Sequence, residues 1–362
     1  MKITFVLPGV TRTPVGGYKV CYQYANKLVE RGHSVTLLHS STNLPKKRLL
    51  NLAVLIIFKV GRTLPLVNRM LFNWFNFDSR VKLKVVCRLQ SKLLPISDVT
   101  VLTAWETSAW IKDLPRNSGK FIQIVQDIEL LEVNDFEKKN EMLNSYQRND
   151  IRHVAISFSV ASMLETIGVK VDAIIPNGLE YIPESPKLID TSPLLVLFST
   201  SQGREHLKGL DTVLLAMKKV HSLHPEVKIE CFGADRIGDL PKYILNNGYL
   251  SQSALSKKYI DSDIFVLGSR SEGWGLPALE AMSHGAAVVS TLNGGSEHFL
   301  VNERNALMVP VADYKAMADG ILRLIEDANL RKFLSHNGWL DSKQFSLENS
   351  TILLEKFLFQ LQ

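Results

Sequence analysis

The 362-residue chain lacks most of the features that would mark a function at once. It has only three cysteines, Cys21, Cys87 and Cys231, far apart and odd in number. That excludes a disulfide scaffold and a thiolate metal site, and it fits free buried thiols in a reducing compartment. Its nine histidines are scattered, with no His-x-x-x-His pair and no cysteine partner nearby, so no metal site is expected. No Gly-x-Gly-x-x-Gly loop follows the first apolar run, which argues against a nicotinamide cofactor, and there is no Gly-x-Ser-x-Gly elbow. The longest apolar stretch, residues 49–58, is interrupted by Asn51 and is too short to span a bilayer. The opening Met1-Lys2-Ile3-Thr4-Phe5-Val6-Leu7 reads as a β-strand rather than a signal peptide, so the expected compartment is the cytoplasm.

Acidic residues are scarce in one place. Residues 41–100 hold eleven Lys or Arg but only Asp78 and Asp98, a local charge of +9 against +6 overall, which leaves −3 for the rest. Such a segment suits an anionic partner, a membrane surface or a lipid-linked phosphate among them; a solvated basic face is the alternative. Lys46-Lys47-Arg48, residues 49–58, Phe72, Trp74, Phe75 and Phe77 together suggest a membrane-surface element, with amphipathic core helices as the other reading. The charge does not extend to the whole chain and no nucleic-acid module is recognisable, so no nucleic-acid partner is expected.

What the chain has is ordinary globular material, 46% hydrophobic and 22% charged, enough for two domains. Strand, loop and helix alternate throughout. Residues 3–7 read as a strand and are followed by a loop with Pro8, Gly9, Pro14, Gly16 and Gly17. A helix then ends at Gly32, and residues 33–39 form the next strand, a βαβ unit that implies a parallel sheet. Further strands are expected near 99–103, 121–125, 153–156 and 173–175. A proline-bearing linker spans 183–193. A second series has strands near 194–198, 227–232, 264–267 and 287–290, with helices at 211–223, 277–284, 314–326, 330–337 and 347–361. The expected fold is α/β, with two doubly wound Rossmann-like domains facing a central cleft. These are residues 1–186 and 187–343, with 344–362 as a C-terminal helix that packs back on the first domain. Ligands of such sheets bind at the carboxyl ends of strands.

The strongest local signal is Ser269-Arg270-Ser271-Glu272-Gly273-Trp274-Gly275-Leu276-Pro277-Ala278-Leu279-Glu280. An apolar strand precedes it, the glycines turn the chain, and Pro277 suits the first helical position. Glu280 is then expected in the first helical turn and Glu272 in the loop, with the helix N-terminus offering N–H groups to a phosphate.

From Glu272 to Gly285 this block resembles the Glu-x7-Glu signature of retaining GT-B glycosyltransferases, particularly glycosyltransferase family 4. The likeness extends to Gly16-Gly17, to Ile174-Ile175-Pro176-Asn177-Gly178, to Gly294-Gly295 and to residues 305–310. It implies a metal-independent enzyme, with no cofactor, that takes a sugar from a UDP-, GDP- or dTDP-linked donor to a glycan or lipid-linked acceptor in cell-surface polysaccharide synthesis. By resemblance, Glu280 accepts from the ribose hydroxyls and Glu272 from donor-sugar hydroxyls. Amides near Gly16 and Gly17 meet the distal phosphate, while Gly273, Trp274, Gly275 and Leu276 admit close backbone contact. Gly203-Arg204 and Lys208-Gly209 resemble the family's basic pair, here one residue closer together. Arg204 and Lys208 would stabilise the charge that develops on a leaving diphosphate. Tyr249 and Leu250, after Gly248, stand where the family holds the base.

One departure is informative. Gln126-Asp127 replaces a His-Asp pair, a variant that looks like rhamnosyl- and other polysaccharide-assembly transferases. Gln126 cannot titrate, so it is limited to hydrogen bonding; Asp127 and Glu129 are polar candidates, with a helix N-cap as the alternative for Asp127. Asp261-Ser262-Asp263 has the form of a metal-binding Asp-x-Asp, but its place before a buried strand points to a structural role. Two rival functions remain, a nucleotide-sugar 2-epimerase of the same fold and a non-catalytic sugar-binding partner subunit.

Overall fold

The computed structural model describes residues 1–11, 14–41, 72–128, 135–186, 193–201, 204–233 and 240–361. The chain divides into two compact units, one of Met1–Gly178 with Leu347–Gln362 and one of Leu179–Ser346. The boundaries differ from the expected 186/187 and 343/344, for a physical reason. Leu179 donates its N–H to Phe345 O at 2.8 Å and the Trp339 indole donates to Pro183 O at 2.9 Å, so the residues after Gly178 are tied to the second unit. Residues 187–192 of the expected linker lie outside the described residues.

In the first unit, strands β1 (Lys2–Leu7), β2 (Ser34–Ser40), β3 (Lys82–Val86), β4 (Val99–Leu102), β5 (Lys120–Val125), β6 (Arg152–Ala155) and β7 (Val171–Ile174) form one sheet in the order β3-β2-β1-β4-β5-β6-β7. All pairs are parallel. Both faces are covered, so the central strands are continuously buried; β4, Val-Thr-Val-Leu, has no exposed residue. Helix α1 (Gly16–Glu30) buries Val20, Cys21, Tyr24, Leu28 and Val29, and Gly32 (φ 89°) ends its turn. Helices α2 (Trp105–Trp110), α3 (Phe136–Tyr146) and α4 (Phe158–Thr166) follow β4, β5 and β6. Asp135 and Ser157 cap the last two with their side chains.

The second unit contains β8 (Leu195–Ser199), α5 (Leu210–Leu223), β9 (Lys228–Phe232), β10 (Ile244–Asn246), α6 (Gln252–Asp261), β11 (Ile264–Leu267), α7 (Leu276–Ser283), β12 (Ala287–Thr291), β13 (Ala306–Val309), α8 (Tyr314–Glu326) and α9 (Ala328–Ser342). Its parallel sheet runs β10-β9-β8-β11-β12-β13. Val196, Phe198, Val266, Ala287, Val289, Met217 and Ile321 lie in its core. Helix α10 (Leu347–Gln360) belongs to the first unit and packs on α1. Arg31 pairs with Glu348 at 2.8 Å and Glu355 at 2.6 Å, and His33 meets Glu355 at 2.7 Å.

Two expectations are corrected here. Gly16 and Gly17 are not in a loop: they open α1. Cys87 is only half-buried, whereas Cys21 and Cys231 are buried, and all three are free. The aromatic residues of the suggested membrane element cluster on one another beside α1. Trp74, Phe75 and Phe77 close on Tyr22 with ring centroids at 5.3, 5.2 and 4.8 Å, Phe72 packs on His39 at 4.7 Å, and the Trp74 indole donates to Thr11 O at 2.8 Å. Phe72 is buried and the other three rings are half-buried, so packing on α1 accounts for part of their apolar surface. Lys46, Lys47, Arg48 and residues 49–58 lie outside the described residues. No described helix is long and apolar enough to cross a membrane.

Candidate functional site

In the second sheet the connections run one way from β8 to β9 and β10 and the other way from β11 to β12 and β13. Adjacent strands β8 and β11 therefore flank the switch point, where the loops at their carboxyl ends diverge and leave room for a ligand. The loop after β8 carries Lys208 and the loop after β11 carries Glu272. The sequence signals at 204–209 and 268–280 thus meet by topology.

Their junction is tight. Gly209 adopts φ 60°, and a Cβ on it would lie 1.9 Å from Gly268 O; one on Gly268 would lie 2.3 Å from the Val213 side chain. Only glycine lets these backbones cross. Arg270 donates its N–H to Leu207 O at 2.7 Å. Its guanidinium grips Asp211 through both carboxylate oxygens, at 2.9 and 2.8 Å, and reaches His206 O. This neighbouring cation holds the Asp211 carboxyl below its ordinary pKa.

On that frame the Lys208 ammonium donates to Glu272 Oε1 at 2.6 Å, and the Ser269 hydroxyl donates to the same oxygen at 2.6 Å. Glu272 is only 10% exposed at its side chain and Lys208 29%. From below, Glu272 N–H donates to Asn293 O at 3.0 Å, and the Asn293 side chain accepts from Ser296. A Cβ on Gly295 would stand 2.4 Å from Glu272 O and 2.5 Å from Trp274 N, which explains the glycine pair at 294–295.

Gly275, at φ 94°, starts α7, whose N-terminus no side chain caps. The helix begins at Leu276, so Pro277 is its second residue and Glu280 its fifth, one residue further in than a start at Pro277 would place it. Glu280 is 9% exposed and accepts from the Tyr259 hydroxyl at 3.1 Å. Trp274 was expected to contribute backbone contact. Its ring is buried among His298, Phe299 and Phe345 at 5.0, 5.2 and 5.6 Å, so the side chain anchors the loop and only its backbone faces the turn. Arg204 is exposed on the turn leading to Lys208, whose N–H donates to Arg204 O at 3.0 Å. Gly203 and Glu129 lie outside the described residues.

Tyr249, 51% exposed, and half-buried Leu250 follow β10. Beneath them Glu230 accepts from Asn247 at 2.8 Å and from Lys258 at 2.7 Å. Asp263 is fully buried and accepts the Leu195 N–H at 2.8 Å, joining β8 to β11.

Gln126 and Asp127 belong to the first unit, beyond β5. The Gln126 side chain lies against Gly17 and accepts from Asn177 at 3.0 Å. Asp127 accepts from Ile128 N–H at 2.8 Å, and no described helix begins there. The structure therefore joins Lys208, Glu272, Gly273, Gly275 and Leu276 around one turn, with Glu280 one helical turn behind. Ser269, Arg270, Asp211, Asn293 and Tyr259 complete this arrangement; Ser269 and Arg270 open the strongest sequence signal but had no role assigned, and the other three were not singled out. Asn293 flanks the recognised Gly294-Gly295 pair; Tyr259 had no local signal beyond Ser251, which caps its helix.

Residues 185–339 match the family described as Glycosyl transferases group 1. The chain is 36% identical over 218 residues to O-antigen chain mannosyltransferase B of Escherichia coli, covering 54% of this chain and 56% of that one. It is 27% identical over 206 residues to the phosphatidyl-myo-inositol mannosyltransferase of Mycolicibacterium smegmatis, covering 52% of each. The chain spans about half the length of the curated relatives it matches. The crystal structure of Anabaena HepE in complex with UDP superposes with a TM-score of 0.72 at 16% identity, over 99% of this chain and 100% of that one. The fold is GT-B, two Rossmann-like α/β units.

Proposed function

We propose that the chain is a retaining glycosyltransferase that takes a sugar from a nucleotide-sugar donor. The observation that carries this is the Lys208–Glu272 pair, fixed beside the uncapped N-terminus of α7 at the switch point of the second sheet. A helix N-terminus and an ammonium together suit a diphosphate. Glu272 would accept from hydroxyls of the transferred sugar and Glu280 from those of the ribose. The family match over 185–339 and the UDP bound to the HepE neighbour support a nucleotide-sugar donor.

In this reading the bond between the anomeric carbon and the diphosphate oxygen breaks, and the acceptor oxygen bonds to the same face. The acceptor proton passes to the departing phosphate oxygen. Lys208, aided by Arg204 and the α7 amides, supplies the positive field for that oxygen, so no metal is invoked. Gly16, Gly17, Gln126 and Asp127 are proposed as the first unit's substrate contacts, Gln126 by hydrogen bonding alone. The acceptor is proposed to be a glycan or lipid-linked saccharide, in line with the names of the two mannosyltransferase relatives. An epimerase is not favoured, because Gln126 offers no titrating group at the sugar.

The test is a thermal-shift screen of UDP-, GDP- and dTDP-sugars on the purified chain, followed by donor hydrolysis read by NMR. At least one donor should stabilise the protein and be cleaved slowly, releasing the sugar with its starting anomeric configuration. No stabilisation by any nucleotide would refute the assignment.

A further inference from the structure

A carboxylate as buried as Glu280 needs hydrogen-bond partners, because burial without them is unfavourable. Tyr259 supplies one from α6, a helix to which the sequence assigned no binding role. Its hydroxyl reaches Glu280 Oε2 at 3.1 Å. The ring is 1% exposed and is set by Phe232 and Phe265 edge-on at 5.6 and 5.8 Å and by His284 at 5.7 Å. A phenol held on three sides has one direction in which to donate.

The same helix reaches α7 a second time. Ser256, one turn before Tyr259, bonds His284 Nε2 at 2.7 Å, and His284 Nδ1 bonds Glu280 O at 2.7 Å. Both connections end on Glu280, one on its carboxylate and one on its carbonyl. Burial and the adjacent carboxylate push the Tyr259 hydroxyl well above its ordinary pKa, so it remains a donor at every working pH.

We propose that Tyr259 is a positioning residue for substrate: it fixes the Glu280 carboxylate in the orientation that accepts the ribose hydroxyls of a nucleotide. This rests on the assignment of Glu280 to the ribose. The rival explanation is that Tyr259 merely satisfies a buried charge.

The two differ in selectivity. A site built to hydrogen-bond a hydroxyl rejects the analogue that lacks it. Calorimetry would compare UDP and GDP with their 2′-deoxy forms on the full chain. Wild type should prefer the ribonucleotide by about tenfold, and Tyr259→Phe should reduce that preference to about threefold or less, with deoxynucleotide affinity little changed. An unchanged preference in Tyr259→Phe would overturn the positioning role while leaving the ribose assignment standing. No preference in wild type, with nucleotide still bound, would overturn both, and absence of all nucleotide binding would instead strike at the proposed function. Should Tyr259→Phe not fold, 3-fluorotyrosine placed at 259 carries the test. Its fluorine resonance should move further with UDP or GDP than with the deoxy form, and equal shifts would count against the proposal.

Discussion

At the scale of single residues, the Lys208–Glu272 pair invites the simplest experiment. Lys208→Ala removes the ammonium that the proposed diphosphate would meet, and a charge-assisted contact of this kind is worth about tenfold or more in affinity. Calorimetry with the nucleoside diphosphate that stabilises the protein should show at least that loss; an undiminished affinity would take Lys208 out of the site. His39 makes a second, independent prediction. It is fully buried, with Nδ1 bonded to Gly9 O at 2.9 Å, and burial pushes its pKa down to about 4. Between about 6.5 and 4 the unfolded chain takes up a proton that the folded chain refuses, so stability falls as pH falls through that window, by at most about 3 kcal/mol. Urea unfolding at pH 7 and pH 4.5 should show the slope, and His39→Gln should flatten it. The glutamates and Lys208 were legible in sequence because their types and spacing are chemical. Tyr259 and Asn293 were not, because a side chain that supports another through space leaves no mark of its partner in the chain.

Among elements, the loops around β8 and β11 depend on backbone crossings. A methyl at Gly295 would press on backbone atoms of Glu272, Gly273 and Trp274 at 2.4 to 2.5 Å, and backbone cannot rotate away as a side chain does. Gly295→Ala should destabilise the chain by about 2 kcal/mol and weaken nucleotide binding with it, measured by urea unfolding and calorimetry. Binding and stability both equal to wild type would show the crossing to be less tight than drawn. Strand identity could be read best in the second unit where a strand is an unbroken apolar run, as in Ile264–Leu267. The starts of helices were less legible. Pro277 suggested the first position and occupies the second, which shifts Glu280 by one residue along α7. Gly16-Gly17 looked like loop and is helix, because a glycine pair says what a backbone tolerates, not what it adopts.

Across the whole molecule, the two Rossmann-like sheets and the return of the last helix to the first unit could be anticipated, whereas the crossing points after Gly178 and Ser346 could not be fixed from composition. Helix α10 buries Leu354, Phe357 and Leu358 and holds Arg31 and His33 through Glu348 and Glu355. Ending the chain after Ser346 should therefore expose α1 and make Met1–Gly178 the more protease-sensitive part, with fragments of Leu179–Ser346 outlasting it in limited proteolysis. Equal cleavage of both parts would argue against that dependence.

The return of α10 to the first unit has a consequence for how the protein is made. Synthesis proceeds from the N-terminus, and domains tend to fold as they emerge. Here the seven strands of the first sheet leave the ribosome long before the helix that covers α1. The half made first must wait for the half made last, with Tyr24 of α1, whose hydroxyl meets Ser350 of α10, among the groups a chaperone would meet in the interval.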